Sequence, residues 1–180
     1  MIRPLTTIIA LSVLLIAGCG GQGTGKAETA QSPSPGDTQA ALPEGLFLDA
    51  APSDAVPLHE VRAKAKAGDS IAFTGYIGGR EEPFTEGRAL FLVADAIKVP
   101  ACTDGCKTPW DACCTPGDTI AANSVTVQLV KPDGKLLALD IKGRGGLEAG
   151  TAVAVVGKVR QADNAVLIVD ATGLAVKPMK

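Results

Sequence analysis

Gly68-Asp69-Ser70-Ile71-Ala72-Phe73-Thr74-Gly75-Tyr76-Ile77 and Gly150-Thr151-Ala152-Val153-Ala154-Val155-Val156-Gly157-Lys158-Val159 follow one pattern. Each opens at a glycine turn, alternates apolar residues with period two, and carries a glycine in mid-strand. Alternation with period two is the mark of a strand with one face in a core. A glycine inside such a strand marks a bend, a bulge or a close backbone approach, which a small barrel needs where its sheet curls. The pattern occurs only twice, so it is an internal echo and not a repeat array.

Around these segments, everything beyond Gly68 reads as strand and turn. Ala89-Leu90-Phe91-Leu92-Val93-Ala94 is a nearly continuous apolar run, as in a strand covered on both faces. Val125–Val130 and Leu136–Ile141 flank Lys131-Pro132-Asp133-Gly134-Lys135, whose Asp-Gly after a proline predicts a hairpin. Further strands are expected at Ala152–Val159 and Val166–Val169, joined through Asp163-Asn164. Ahead of them, Leu58, Val61 and Ala65 fall on one helical face, with Pro57 suited to a first turn and Gly68 to a stop.

On these residues the stretch from about Leu58 to Val176 resembles an OB-fold, and in particular the small exported bacterial OB-fold proteins that place a helix before the first strand. The expected architecture is mainly β: a small Greek-key barrel with a short leading helix and a Cys-rich loop insertion, over residues 57–180. The resemblance implies a ligand-facing surface on the second and third strands. In this sequence that surface comprises Phe91, Val93 and Val127, with Trp110 in the adjoining insertion.

The insertion, residues 96–123, is far longer than a barrel turn, and a loop of that length needs a staple or a function. It contains Cys102, Cys106, Cys113 and Cys114. Two disulfides are the expected reading. Adjacent cysteines rarely bond each other, which leaves Cys102 with Cys113 and Cys106 with Cys114, or the crossed pairing, each contributing on the order of 2–4 kcal/mol. The alternative is a four-thiolate site for zinc or a soft ion such as Cu(I). Its spacing departs from the paired Cys-x-x-Cys of zinc ribbons. A thiol redox role is the third reading, and the absence of Cys-x-x-Cys weighs against it. Trp110 is the chain's single tryptophan, set to pack over the cysteines or to present an aromatic patch.

The amino-terminal segment speaks to location. One positive charge, Arg3, precedes an apolar run from Leu5 to Ala17 that is too short to span a bilayer comfortably. It closes on Ile16-Ala17-Gly18-Cys19, which resembles the lipobox of bacterial lipoproteins. The resemblance implies a signal peptide at 1–18, removed before an acylated Cys19, and an envelope protein held to a membrane by its acyl chains. Gly20 in place of Asp favours the outer membrane by the enterobacterial rule. Residues 19–56, rich in Gly, Ser, Pro, Thr, Gln and Ala, read as a flexible tether, with Leu42, Leu46, Phe47 and Leu48 able to dock late in it.

Composition narrows the function. A net charge of −2, an aromatic content of 3% and no Lys/Arg stripe argue against nucleic acid. The single histidine, His59, reads as a surface or capping residue. No Ser-His-Asp set, zinc-protease motif or P-loop can be assembled, so no catalytic residue is assigned and enzyme activity has no positive support. Glu81, Glu82 and Glu86 form a carboxylate cluster that reads as a solvated turn beside Arg80 and Arg88. The expected role is a non-catalytic binding or structural module without a cofactor, for an envelope protein or a small ligand.

Overall fold

The computed structural model describes residues 41–103, 105–163 and 166–177. The signal segment, Cys19 and the tether up to residue 40 lie outside the described residues. Five strands close a barrel: β2 (Ser70–Ile77), β3 (Leu90–Ala94), β4 (Ser124–Gln128), β5 (Ala152–Ala162) and β6 (Leu167–Lys177). A two-residue β1 (Val56–Pro57) lies parallel to β2 and leads into a short helix, α1 (Leu58–Arg62). Hydrogen bonding runs β2-β3-β4-β6-β5 and back to β2, with β4 and β6 parallel and every other barrel pair antiparallel. This is the Greek-key closure of an OB-fold-like barrel. It leaves these five strands without a free edge among themselves.

The two echoed segments pair with each other, from Ser70 opposite Lys158 to Tyr76 opposite Ala152. Both glycines stand at close backbone approaches. A Cβ on Gly75 would lie 2.6 Å from the Ala94 carbonyl oxygen, and one on Gly157 would lie 2.5 Å from that of Asp170. The β5–β6 register shifts between Val156 and Gly157, a bulge that passes over Thr172 and swings β6 around the barrel.

Alternation then fills the interior. Phe73, Ile77, Phe91, Val93, Val125, Val127, Val155, Val159, Val169 and Leu174 are all buried in one cluster, closed below by Leu58 and Val61 of α1. Phe91, Val93 and Val127 therefore face inward and are fully buried. That corrects the expected ligand-facing surface: on these strands the positions that alternate with them point outward, so a ligand on that face would not touch these three side chains.

One further expectation changes. Leu136–Ile141 does not form a second hairpin arm. The Pro-Asp-Gly turn is present, with the Lys131 amide donating to the Lys135 carbonyl and the Leu137 amide to the Leu129 carbonyl around the Val130–Leu136 bridge, but the pairing goes no further than Leu137. Leu137, Leu139 and Ile141 instead plug the end of the barrel, each almost fully buried. An apolar alternation is satisfied equally well by a capping segment, and the sequence does not distinguish the two. The apolar residues late in the tether dock on the domain, as the sequence allows. Leu46 is 2% exposed, and the Leu48 and Leu174 amides donate to the Leu174 and Leu46 carbonyls at 2.8 and 2.7 Å. No helix among the described residues is long and apolar enough to cross a membrane.

Candidate metal centre

The insertion between β3 and β4 is built on the outer face of the barrel. Tyr76 of β2, Ala94 of β3, Val99 and Ala112 form a second small core there, with Ala101, Trp110 and Ile120 packed against it. Trp110 fastens the insertion to the β2–β3 connection. Its indole N–H donates to the Glu81 carbonyl at 2.9 Å, and its own carbonyl accepts from the Gly79 amide at 2.7 Å. A side chain on Gly78 would strike both the Tyr76 ring and the Trp110 carbonyl. Trp110 is half-buried, packed against this small core and bonded through both its indole and its carbonyl.

Local backbone chemistry turns the four cysteines toward one point. The Cys102 amide donates to the Pro109 carbonyl at 2.8 Å, closing a loop that starts and ends beside the barrel. Within it a single 3-10 turn, Pro109–Asp111, is held by Asp111, whose two carboxylate oxygens accept from the Thr108 hydroxyl and the Cys113 amide, each at 2.8 Å. Ala112 follows with φ of 54°, a left-handed conformation uncommon for a residue with a side chain. That reversal carries the adjacent Cys113 and Cys114 back over Cys102, and the buried Ala112 methyl fills space beside Tyr76.

The result is a compact sulfur cluster. Cys113 Sγ lies 3.4 Å from the sulfurs of both Cys102 and Cys106 and 3.9 Å from that of Cys114. All four sulfurs lie within 4.8 Å of one another. A disulfide requires about 2.05 Å, and the four cysteines are free. The paired disulfides expected from the even cysteine count are thus not what the structure holds. The sulfurs converge on a common centre, where two bridges would need separate pairs. Four thiolates around a zinc ion at about 2.3 Å would stand about 3.8 Å apart, the range observed here. The cluster has the donor set and spacing to hold one metal ion, and it is the one group of three or more His, Cys, Asp or Glu side chains with such geometry among the described residues.

Electrostatics separates Cys102 from Cys113 and Cys114. The Cys114 amide and the Cys113 thiol both hydrogen-bond to the Cys102 sulfur and hold its pKa below the usual thiol value. Hydrogen bonding with Cys102 pushes Cys113 and Cys114 above theirs. One anion is thus stabilised and further anions resist forming beside it, an arrangement that a cation resolves by drawing all four to the thiolate. Cys102 and Cys106 are half-buried while Cys113 and Cys114 are exposed, so an ion has a path from solvent.

The other candidates stay apart. Glu81, Glu82 and Glu86 remain exposed turn residues, and Arg80 donates to the Glu82 carbonyl at 2.6 Å. His59 has a partner that the sequence does not reveal. Its Nδ1 lies 2.8 Å from Oδ2 of Asp95, a residue 1% exposed at the mouth of the insertion. A carboxylate only accepts, so Nδ1 carries the proton. Asp95 also accepts from the amides of His59, Ile97 and Lys98. Burial alone would raise the Asp95 pKa, but these hydrogen bonds outweigh it and hold the carboxyl below its usual value. The pair ties α1 to the start of the insertion. Nothing local predicts it, because the partners lie 36 residues apart. No protein-family model matches the chain, and no curated protein matches it significantly.

Proposed function

We propose that this chain is an exported, acyl-anchored envelope lipoprotein whose OB-fold-like domain is a non-catalytic module organised by a four-thiolate metal centre, with zinc as the resident ion. One observation carries the metal reading: the four sulfurs of Cys102, Cys106, Cys113 and Cys114 meet within 4.8 Å. Zinc suits it because a closed set of four thiolates is the structural zinc pattern, with no position left open for substrate. Every ligand comes from one short segment, and that segment packs on Tyr76 of β2 and Ala94 of β3. The ion would therefore fold the insertion and fix Trp110 in its place, leaving the barrel itself to the apolar core. The lipobox-like Ile16-Ala17-Gly18-Cys19 supports the anchored location, with the acyl chains as the membrane partner. An envelope protein or a small ligand is the expected further partner.

The test is metal analysis and thiol counting on the full chain purified in detergent. One equivalent of zinc, released by a chelator and lost in Cys113→Ser, is the expected result. No metal, and insertion cysteines joined in two disulfides with the corresponding loss of four protons in intact mass, would overturn the metal reading. One equivalent of Cu(I) would keep the centre and replace the ion.

A further inference from the structure

Only two buried side-chain polar atoms among the described residues lack a hydrogen-bond partner, and one is the Tyr76 hydroxyl. Tyr76 is 3% exposed. An unpartnered buried hydroxyl is destabilising, so a native protein that keeps one invites a reason. Its surroundings supply it. The ring packs in the small outer core with Ala112, and Ala101 and Trp110 pack against the same cluster. Ala101 and Ala112 are the residues immediately before Cys102 and Cys113. The ring thus packs against the segments that carry Cys102 and Cys113. Burial, followed by the Cys102 and Asp111 charges, pushes the phenol pKa up to about 12, so the group keeps its proton and serves as a donor. Of the two nearby anions, Asp111 already has both oxygens engaged by Thr108 and Cys113. The Cys102 sulfur receives the Cys114 amide and the neighbouring thiols, and the thiols cease to donate once an ion takes their protons, which frees that sulfur to accept from elsewhere.

Resting on the four-thiolate reading, we propose that Tyr76 is a positioning residue for the centre: its buried hydroxyl donates a hydrogen bond to the Cys102 sulfur once metal binding makes that sulfur a thiolate. Four thiolates on a divalent ion leave a net charge of about −2, and each donor to sulfur offsets part of it. The Cys114 amide already supplies one such donor to Cys102. Tyr76 would supply a second from the barrel side, which links occupation of the centre to the outer face of β2.

The experiment compares the full chain with Tyr76→Phe, using cobalt(II) and zinc. In the metal-free form the variant melts at the same temperature or higher, because an unpartnered hydroxyl is gone. In the loaded form zinc affinity falls about tenfold or more, within the range for lost outer-shell partners. The cobalt–thiolate charge-transfer band moves to lower energy, because a sulfur relieved of a hydrogen bond is a better electron donor. Equal affinity and an unmoved band would overturn the hydrogen bond while leaving the metal centre intact. Weaker affinity with an unmoved band would overturn it too, placing the hydroxyl on Asp111. A wild-type chain that takes up neither ion would defeat the four-thiolate reading, and this inference with it. Tyr76 is the chain's single tyrosine, so 3-fluorotyrosine labels it alone without a substitution. Its fluorine resonance is expected to shift when zinc is added, and an unmoved resonance would overturn the proposal even if Tyr76→Phe failed to fold.

Discussion

Gly157 stands where β5 meets the β6 bulge, and its missing side chain is what lets the two backbones approach. A Cβ there would meet a carbonyl oxygen at 2.5 Å and the Val169 side chain at 2.7 Å, closer than van der Waals contact allows. Backbone cannot yield as a flexible side chain does. Gly157→Ala is therefore expected to lower stability by about 1–3 kcal/mol, the range for overpacking a filled site, measured by urea unfolding. Gly75 occupies the equivalent place in the echoed strand, pressed against the Ala94 carbonyl. Both glycines were legible as bends from the sequence, since a glycine interrupting apolar alternation has few other uses. The left-handed turn at Ala112 was not legible. Alanine carries no signal for it, and only the surrounding hydrogen bonds of Asp111 and the fit beside Tyr76 select it.

At the scale of elements, α1 has only five residues and no side-chain cap at its start. Asp95 compensates from across the fold by accepting from the His59 amide and imidazole while also holding the first turn of the insertion. Its folded carboxyl pKa is depressed. A depressed carboxyl contributes stability that is present above the unfolded value, about 4, and disappears as pH falls through the folded value. Metal-free protein is accordingly expected to lose stability as pH drops below about 4. Asp95→Asn should flatten that dependence and weaken the protein at neutral pH by about 1.5–3 kcal/mol, the range for hydrogen bonds to a charged group. Urea unfolding across pH, with chelator present, checks both. An unchanged acid limb in the variant would remove Asp95 from this role. The insertion itself is an element whose existence, length and cysteines were all plain in the sequence. Their convergence was not, because Cys-x-x-x-Cys followed by adjacent cysteines fits no familiar ligand spacing, and an even count suggested bridges.

The folded domain takes in residues ahead of its leading helix, among them the apolar ones late in the tether. Leu46 lies among polar and small residues that read as tether, yet it enters the main core and its backbone pairs with β6. Leu46→Ala should cost about 2–5 kcal/mol, as for other buried leucines, whereas a side chain in a tether would cost nothing. Thermal and urea unfolding of the full chain distinguish the two. For the barrel as a whole, the sequence by itself determined a great deal: the mainly β class, the echoed glycine-bent strands, the leading helix and the place of the insertion. Period-two alternation and glycine punctuation are local signals, and each strand carries its own. Which face of each strand looks inward was set by the long-range pairing that closes the barrel; that closure made Phe91, Val93 and Val127 core and not surface. The tertiary structure alone brought His59 to Asp95, Tyr76 against the segments that carry Cys102 and Cys113, and four sulfurs to one centre. Those arrangements depend on how segments far apart in the chain are set against one another when the barrel closes, and no local pattern encodes that distance.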